Sequence, residues 1–186
     1  MIPLWLEILV ALWFILPAYV ANAFAVVFSG GAPIDFGKFF FDGKRVFGDG
    51  KTVRGFIGGV FMGITIGAIQ LFISPYILEI IALYYVMDMH EIFLIEVSVP
   101  RICLLSFGAL VGDLFGSFIK RRFGLKRGAP APILDQLDFL LGALLFFGMI
   151  KPLQPKYIII LVIVTPLIHL CANGIGYVLK LKKEPW

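Results

Sequence analysis

The chain has 186 residues, 60% of them hydrophobic and 15% charged, with a mean hydropathy of +0.98 and a formal net charge of +4. A soluble domain of this size leaves a large part of its surface in water, so it has no place to bury so much apolar side chain; a water-soluble globule is excluded and the expected solvent is lipid. At about 20 apolar residues per crossing, the length allows about five spanning helices and no separate soluble domain.

In chain order, Met1 to Ser29 carries one charge, Glu7, and is long enough to cross a bilayer. The small residues Ala21 to Ala25 resemble a signal-peptide cleavage site, but the segment lacks a basic beginning and its apolar run is too long, so a mature helix is predicted. Residues 30–54 form a loop rich in glycine and charge. Gly55 to Ser74 is the second predicted helix, and 75–99 is a mixed, acidic stretch into which that helix can continue. Arg101 to Ile119 is the third helix, 120–132 a basic loop, Ile133 to Ile150 the fourth helix and Tyr157 to Leu179 the fifth. Cys103 and Cys171 fall within apolar runs, where thiols behave as small hydrophobes. His90, in the acidic stretch, is expected to be a solvated polar residue.

Of the 16 basic residues, all but Arg101, Lys151 and Lys156 lie in the two loops and the C-terminal tail. By the positive-inside rule those segments are cytoplasmic, the N-terminus is outside and the C-terminus inside. The same rule accounts for the basic charge without nucleic acid, for which nothing else argues. The expected molecule is therefore an all-α, multi-pass cell-membrane protein, residues 1–186 forming one transmembrane domain with cytoplasmic loops 30–54 and 120–132.

Small residues at four-residue spacing let membrane helices approach closely. Gly55, Gly59, Gly63 and Gly67 form such a seam on the second helix, and Gly108, Gly112 and Gly116 on the third. Polar residues inside apolar runs are costly and point to a cavity. Asn22, Asp113 and Asn173 each stand seven positions from the cytoplasmic end of their helix, about 10 Å deep, so three helices bring polar groups to one depth. Asp113, Ser117 and Lys120 share a helix face; so do Thr165, His169, Asn173 and Tyr177, with Thr165 and His169 expected to make interhelical hydrogen bonds.

Asp135 and Asp138 lie three apart near the start of the fourth helix, on one face. Their position alone would suit the positive end of the helix dipole. Carboxylates converging with Asp113 would repel unless a cation intervened, and Mg²⁺ characteristically takes one or two carboxylates plus substrate phosphates. Gly48-Asp49-Gly50-Lys51-Thr52-Val53-Arg54-Gly55 offers backbone N–H groups, a hydroxyl and two cations just before a helix N-terminus, a favourable place for phosphate. Lys120, Arg121, Arg122, Lys126 and Arg127 add positive charge. Gly50-Lys51-Thr52 has the end of a P-loop, but Arg45 stands where that motif needs glycine, and no strand precedes it.

Residues 17–59, including Pro33-Ile34-Asp35-Phe36-Gly37-Lys38 and Asp49 through Gly59, resemble the archaeal CDP-archaeol synthases, as do Gly112 to Gly128 and Asp135-Gln136-Leu137-Asp138. The second block is also similar to the signature of bacterial and eukaryotic phosphatidate cytidylyltransferases. Lys126-Arg127 where those have Lys-Asp, Gln136 where Arg is usual, and the lack of a His-Gly-Gly before the acidic pair favour the archaeal branch. The resemblance implies a CTP-dependent transfer of CMP to an isoprenoid glycerol-ether phosphate, releasing pyrophosphate. It further implies Asp113, Asp135 and Asp138 as Mg²⁺ ligands and, with Lys120, as catalytic residues. Asn22, Lys51, Thr52, Arg54, Gly55, Ser117, Arg121, Lys126 and Asn173 are the expected substrate-binding set, Asn22 and Asn173 on the ground of depth. CTP, the lipid phosphate and membrane lipids are the expected partners, and the sequence is compatible with a homodimer. The alternatives are a transporter with a cytoplasm-facing anion site and a CDP-alcohol phosphotransferase-like enzyme, of whose acidic motif Asp42-Gly43 matches only the first part.

Overall fold

A computed structural model describes residues 2–125, 129 and 131–178, with the backbone alone for 172–178. It contains six helices: α1 Leu4–Val27, α2 Val53–Tyr84, α3 Met89–Ile95, α4 Val99–Arg122, α5 Pro132–Gly148 and α6 Pro155–Val178. Among the described residues there are no strands beyond two isolated bridges, Pro33 with Thr52 and Phe39 with Arg45. By length and composition α1, α2 and α4 can each cross a membrane, and α6 carries an apolar run over Pro155–Cys171. The expected five helices are thus present, with α3 as a sixth inside the acidic stretch, where a capping box between Asp88 and Glu91 nucleates it.

α2 continues ten residues past Ser74, through Pro75. A proline removes the N–H that would bond the carbonyl four residues back. Here the orphaned acceptor is Leu71 O, and the Ser74 hydroxyl donates to it at 3.4 Å. The same repair recurs in α1: Pro17 frees Trp13 O, which accepts from Gln70 Nε2 on α2 at 2.7 Å. Both repairs keep a backbone acceptor satisfied where no water is at hand.

α1 packs against all five other helices and carries much of the core, Val10, Phe14 and Ala18 belonging to one buried cluster with Leu105 and Ala109 of α4 and Leu140 of α5. The glycine seams are real. A β-carbon on Gly59 would lie 2.6 Å from Ala21 O, and one on Gly63 2.8 Å from Pro17 O. On α4, Gly108 and Gly112 abut Gly142 of α5, so these two backbones nearly touch. Leaving aside the short α3, the helices α1, α2, α4, α5 and α6 alternate in direction. The C-terminal ends of α1 and α4 and the N-terminal ends of α2 and α5 consequently share one end of the bundle, where Ser29, Thr52, Lys120 and Asp135 line a common cavity. At the opposite end, Lys156 at the start of α6 pairs with Glu7 near the start of α1 at 2.8 Å.

Candidate active site

The loop between α1 and α2 is folded around one carboxylate. The Asp35 side chain is 1% exposed and accepts hydrogen bonds from Arg45, from Phe47 N at 3.0 Å, from Gly48 N at 2.8 Å and from Gly37 N at 3.1 Å. Burial alone would raise its pKa, but Arg45 and these N–H groups hold the carboxyl well below the usual carboxylate range. Arg122, at the end of α4, ties the loop to the bundle. It donates to Asp42 at 2.8 Å and to the carbonyls of Lys44 and Arg45, with its guanidinium over the rings of Phe40 and Phe118. The loop is thereby held over the end of the bundle, with Lys51 at the mouth of the cavity.

That cavity has a volume of about 330 Å³. Its walls include Asn22 of α1, Lys51, Thr52 and Gly55 at the start of α2, Asp113 and Lys120 of α4, and Asp135 and Asp138 of α5. Lys51 Nζ donates to both oxygens of Asp113 at 2.6 Å, and Lys120 pairs with Asp135, whose other oxygen accepts from Ala131 N at 3.1 Å. Asp138 is 8% exposed and lies against Gly116, near enough to Asp113, Lys51 and Lys120 to interact with all three charges. A second cavity of about 170 Å³ shares Gly50, Lys51 and Lys120 with the first and adds Ser117 and Arg121. The two form one charged recess with the carboxylates deeper and the guanidinium nearer the loop.

Ten of the thirteen expected residues, Asn22, Lys51, Thr52, Gly55, Asp113, Ser117, Lys120, Arg121, Asp135 and Asp138, therefore meet in this recess. Arg54 does not. It is exposed on the first turn of α2, about 200° around the helix from Thr52 and 100° from Gly55, the residues that face the cavity. Thr52 is buried, and its hydroxyl caps α2, accepting from Gly55 N at 3.1 Å and Gly30 N at 3.3 Å. Lys126 and the Asn173 side chain lie outside the described residues. Thr165 makes the interhelical bond expected of it, to Tyr19 OH at 2.6 Å.

Of the three expected metal ligands, Asp113 and Asp135 are each paired with a lysine. Among the described residues no three acidic, His or Cys side chains are spaced to hold a metal ion together, and Asp113 is paired with a base. Converging carboxylates repel, and here Lys51 and Lys120 supply the opposing charge. The all-oxygen donor set still fits a hard divalent cation held by one or two carboxylates and completed by substrate phosphates. The glycine seam brings the helices that carry Asp113 and Asp138 into contact at this depth.

Sequence reasoning passed over Asp35 and Arg45 as loop supports, Arg122 as the clamp, Gly142 as the partner of Gly112, and Gln70 and Ser74 as proline repairs. Gln70 and Ser74 had a signal: each is a polar residue in an apolar run. For the loop residues the partner is known only once the chain has folded back.

A helix bundle in lipid that gathers acids and bases in one recess at its end, beside a glycine-flanked helix start, is an intramembrane enzyme acting on phosphate esters. A solved intramembrane enzyme for archaeal membrane lipid biosynthesis shares this fold, with a TM-score of 0.72 at 37% sequence identity over 88% of this chain and 92% of that one. The chain belongs to the CarS-like family of CDP-archaeol synthases, whose profile matches residues 4–186. CDP-archaeol synthases from Thermococcus kodakarensis and Pyrococcus horikoshii are 49% and 46% identical to it, covering 95% and 97% of this chain and 95% and 98% of theirs. The enzyme from Archaeoglobus fulgidus is 47% identical, over 96% of this chain and 98% of its own. This kinship favours the transferase over both the transporter and the CDP-alcohol phosphotransferase reading.

Proposed function

We propose that the chain transfers a cytidylyl group from CTP to an isoprenoid glycerol-ether phosphate, yielding a CDP-archaeol-type lipid and pyrophosphate. The observation that carries the mechanism is the single recess in which Asp113, Asp135 and Asp138 face Lys51 and Lys120. A lipid phosphate oxygen attacks the α-phosphorus of CTP in line; a new P–O bond forms as the bond from the α-phosphorus to the bridging oxygen breaks, and the electron pair leaves with pyrophosphate. Two anionic reactants must be brought together, so positioning and charge neutralisation carry the rate.

Lys51 and Lys120 exchange their carboxylate partners for phosphate oxygens when substrate enters. Ser117 and Arg121, in the smaller cavity, hold the outgoing pyrophosphate end, and the backbone around Gly50 leaves room for phosphates beside the start of α2. Mg²⁺, held by Asp113 and Asp138 with Asp135 close by, supplies further neutralisation of the phosphate charges when bound. Asn22 of α1 lines the recess. In the membrane, five helices cross, the N-terminus is outside, and the recess opens to the cytoplasm, where CTP is available. The lipid phosphate reaches it from the inner leaflet with its chains still in hydrocarbon, and residues 1–186 act as one catalytic unit.

The test is purified protein with CTP, Mg²⁺ and a panel of lipid phosphates, scored by pyrophosphate release. Release that requires a lipid phosphate and is fastest with ether lipids is expected; no release with any lipid would overturn the reading.

A further inference from the structure

Arg101 has no part in the catalytic recess. It stands near the start of α4, about 28 Å along the helix from Lys120, and is 2% exposed. Its Nη1 donates to Leu94 O at 2.9 Å and to Glu96 O, and its guanidinium lies over the Phe14 ring, 4.4 Å from the centroid. Nε and Nη2 are buried without a hydrogen-bond partner, and among the described residues no carboxylate forms an ion pair with this side chain. An arginine does not shed its proton to escape such a position, so the buried charge and its two idle donors call for an anion.

The surroundings have room for one. Arg101 lines a cavity of about 350 Å³ whose other walls include Leu71, Ser74, Leu78, Phe93 and Ser98. Ser98 occupies the N-cap of α4 but its side chain makes no cap hydrogen bond, so its hydroxyl and the positive end of a 24-residue helix remain available to a ligand. Glu96 also lines the cavity; its carbonyl accepts from Arg101, and the residue is exposed. Cationic and hydroxyl donors beside Leu71, Leu78 and Phe93 suit a phosphate carried on an apolar chain.

We propose that Arg101 and Ser98 bind the phosphate headgroup of a lipid in the leaflet opposite the catalytic recess. This second site is independent of the catalytic reading. The shared chemistry is a phosphate oxyanion, and the test separates a lipid from the free ion. Native mass spectrometry counts the molecules retained by the wild-type protein, by Arg101→Gln and by Ser98→Trp, the last plugging the cavity from an exposed position without altering Arg101. The probes are a phosphatidic acid, the diacylglycerol with the same chains, and inorganic phosphate. The catalytic recess also takes a lipid phosphate, so the readout is the difference between proteins.

Wild type is expected to retain one more phosphatidic acid than either variant, with an affinity at this site about tenfold or more above theirs. CTP turnover is unchanged in both. Displacement of that lipid by millimolar inorganic phosphate supports the site with the free ion as an alternative occupant, and resistance to displacement supports the lipid headgroup. Should Arg101→Gln fail to fold, Ser98→Trp reports alone. Equal retention of phosphatidic acid by wild type and Ser98→Trp overturns the proposal, and so does equal loss of diacylglycerol.

Discussion

The Asp138 carboxylate rests directly on Gly116: a β-carbon at position 116 would fall onto the Asp138 side chain, 2.7 Å from its Cβ. One hydrogen in place of a methyl group thus seats an acid of α5 within the α4 surface that carries Asp113. Gly116→Ala is expected to displace Asp138 and reduce turnover by about a hundredfold, at a stability cost of about 1–3 kcal/mol from overpacking. Pyrophosphate release and thermal unfolding measured on one preparation check both. Near-normal turnover would show that the position of Asp138 is unimportant to the reaction.

Lys51 and Asp113 bond to each other before either meets substrate. Removing one leaves the other as an uncompensated charge, so Lys51→Met and Asp113→Asn should each lower kcat/KM by about a hundredfold, and the double variant should lose much less than their product. A double-mutant cycle on stability should return a coupling of about 1–3 kcal/mol. Additive losses would mean that the two side chains act separately.

Arg54 is a contrasting case. It is adjacent in sequence to the phosphate-binding run yet exposed and outside both cavities. Arg54→Gln is expected to change stability by less than about 0.5 kcal/mol and to leave the KM for CTP unaltered. A large rise in KM would return Arg54 to the substrate-binding set.

Asp35 makes the loop pH-sensitive. Its folded pKa lies below the unfolded value of about 4, so its contribution to stability is fully present above that value and is lost as pH falls through it toward the folded value. Asp35→Asn removes the contribution at every pH. The gap in thermal midpoint between wild type and Asp35→Asn should therefore be constant through neutral pH and shrink below about pH 4. A gap that persists unchanged in acid would mean that the carboxylate charge is not what secures the loop.

Asp135→Asn and Asp138→Asn are each expected to leave a folded protein with turnover nearly abolished. The Mg²⁺ dependence of any residual rate checks their role. Retention of the wild-type Mg²⁺ response by either variant would remove that residue from the metal site.

Composition, apolar run length and the spacing of small and polar residues were enough to establish a helical membrane protein, the order of its main helices, their glycine seams and most of the recess. These properties repeat with the helix period or depend on distance along one helix, so a linear chain displays them. Asn22 and Asp113 could be placed at one depth by counting residues, and both line the recess. Tertiary structure alone decided which opposite charges met. Lys51 finds Asp113 across 62 positions and Arg122 finds Asp42 across 80, pairings that depend on how the loop folds back around Asp35. It also turned Arg54 outward, since one residue's rotation on a helix separates a cavity wall from an exposed surface. Coulomb attraction acts through space, while sequence records only separation along the chain, and for that reason the charged groups were legible as a set but not as partners.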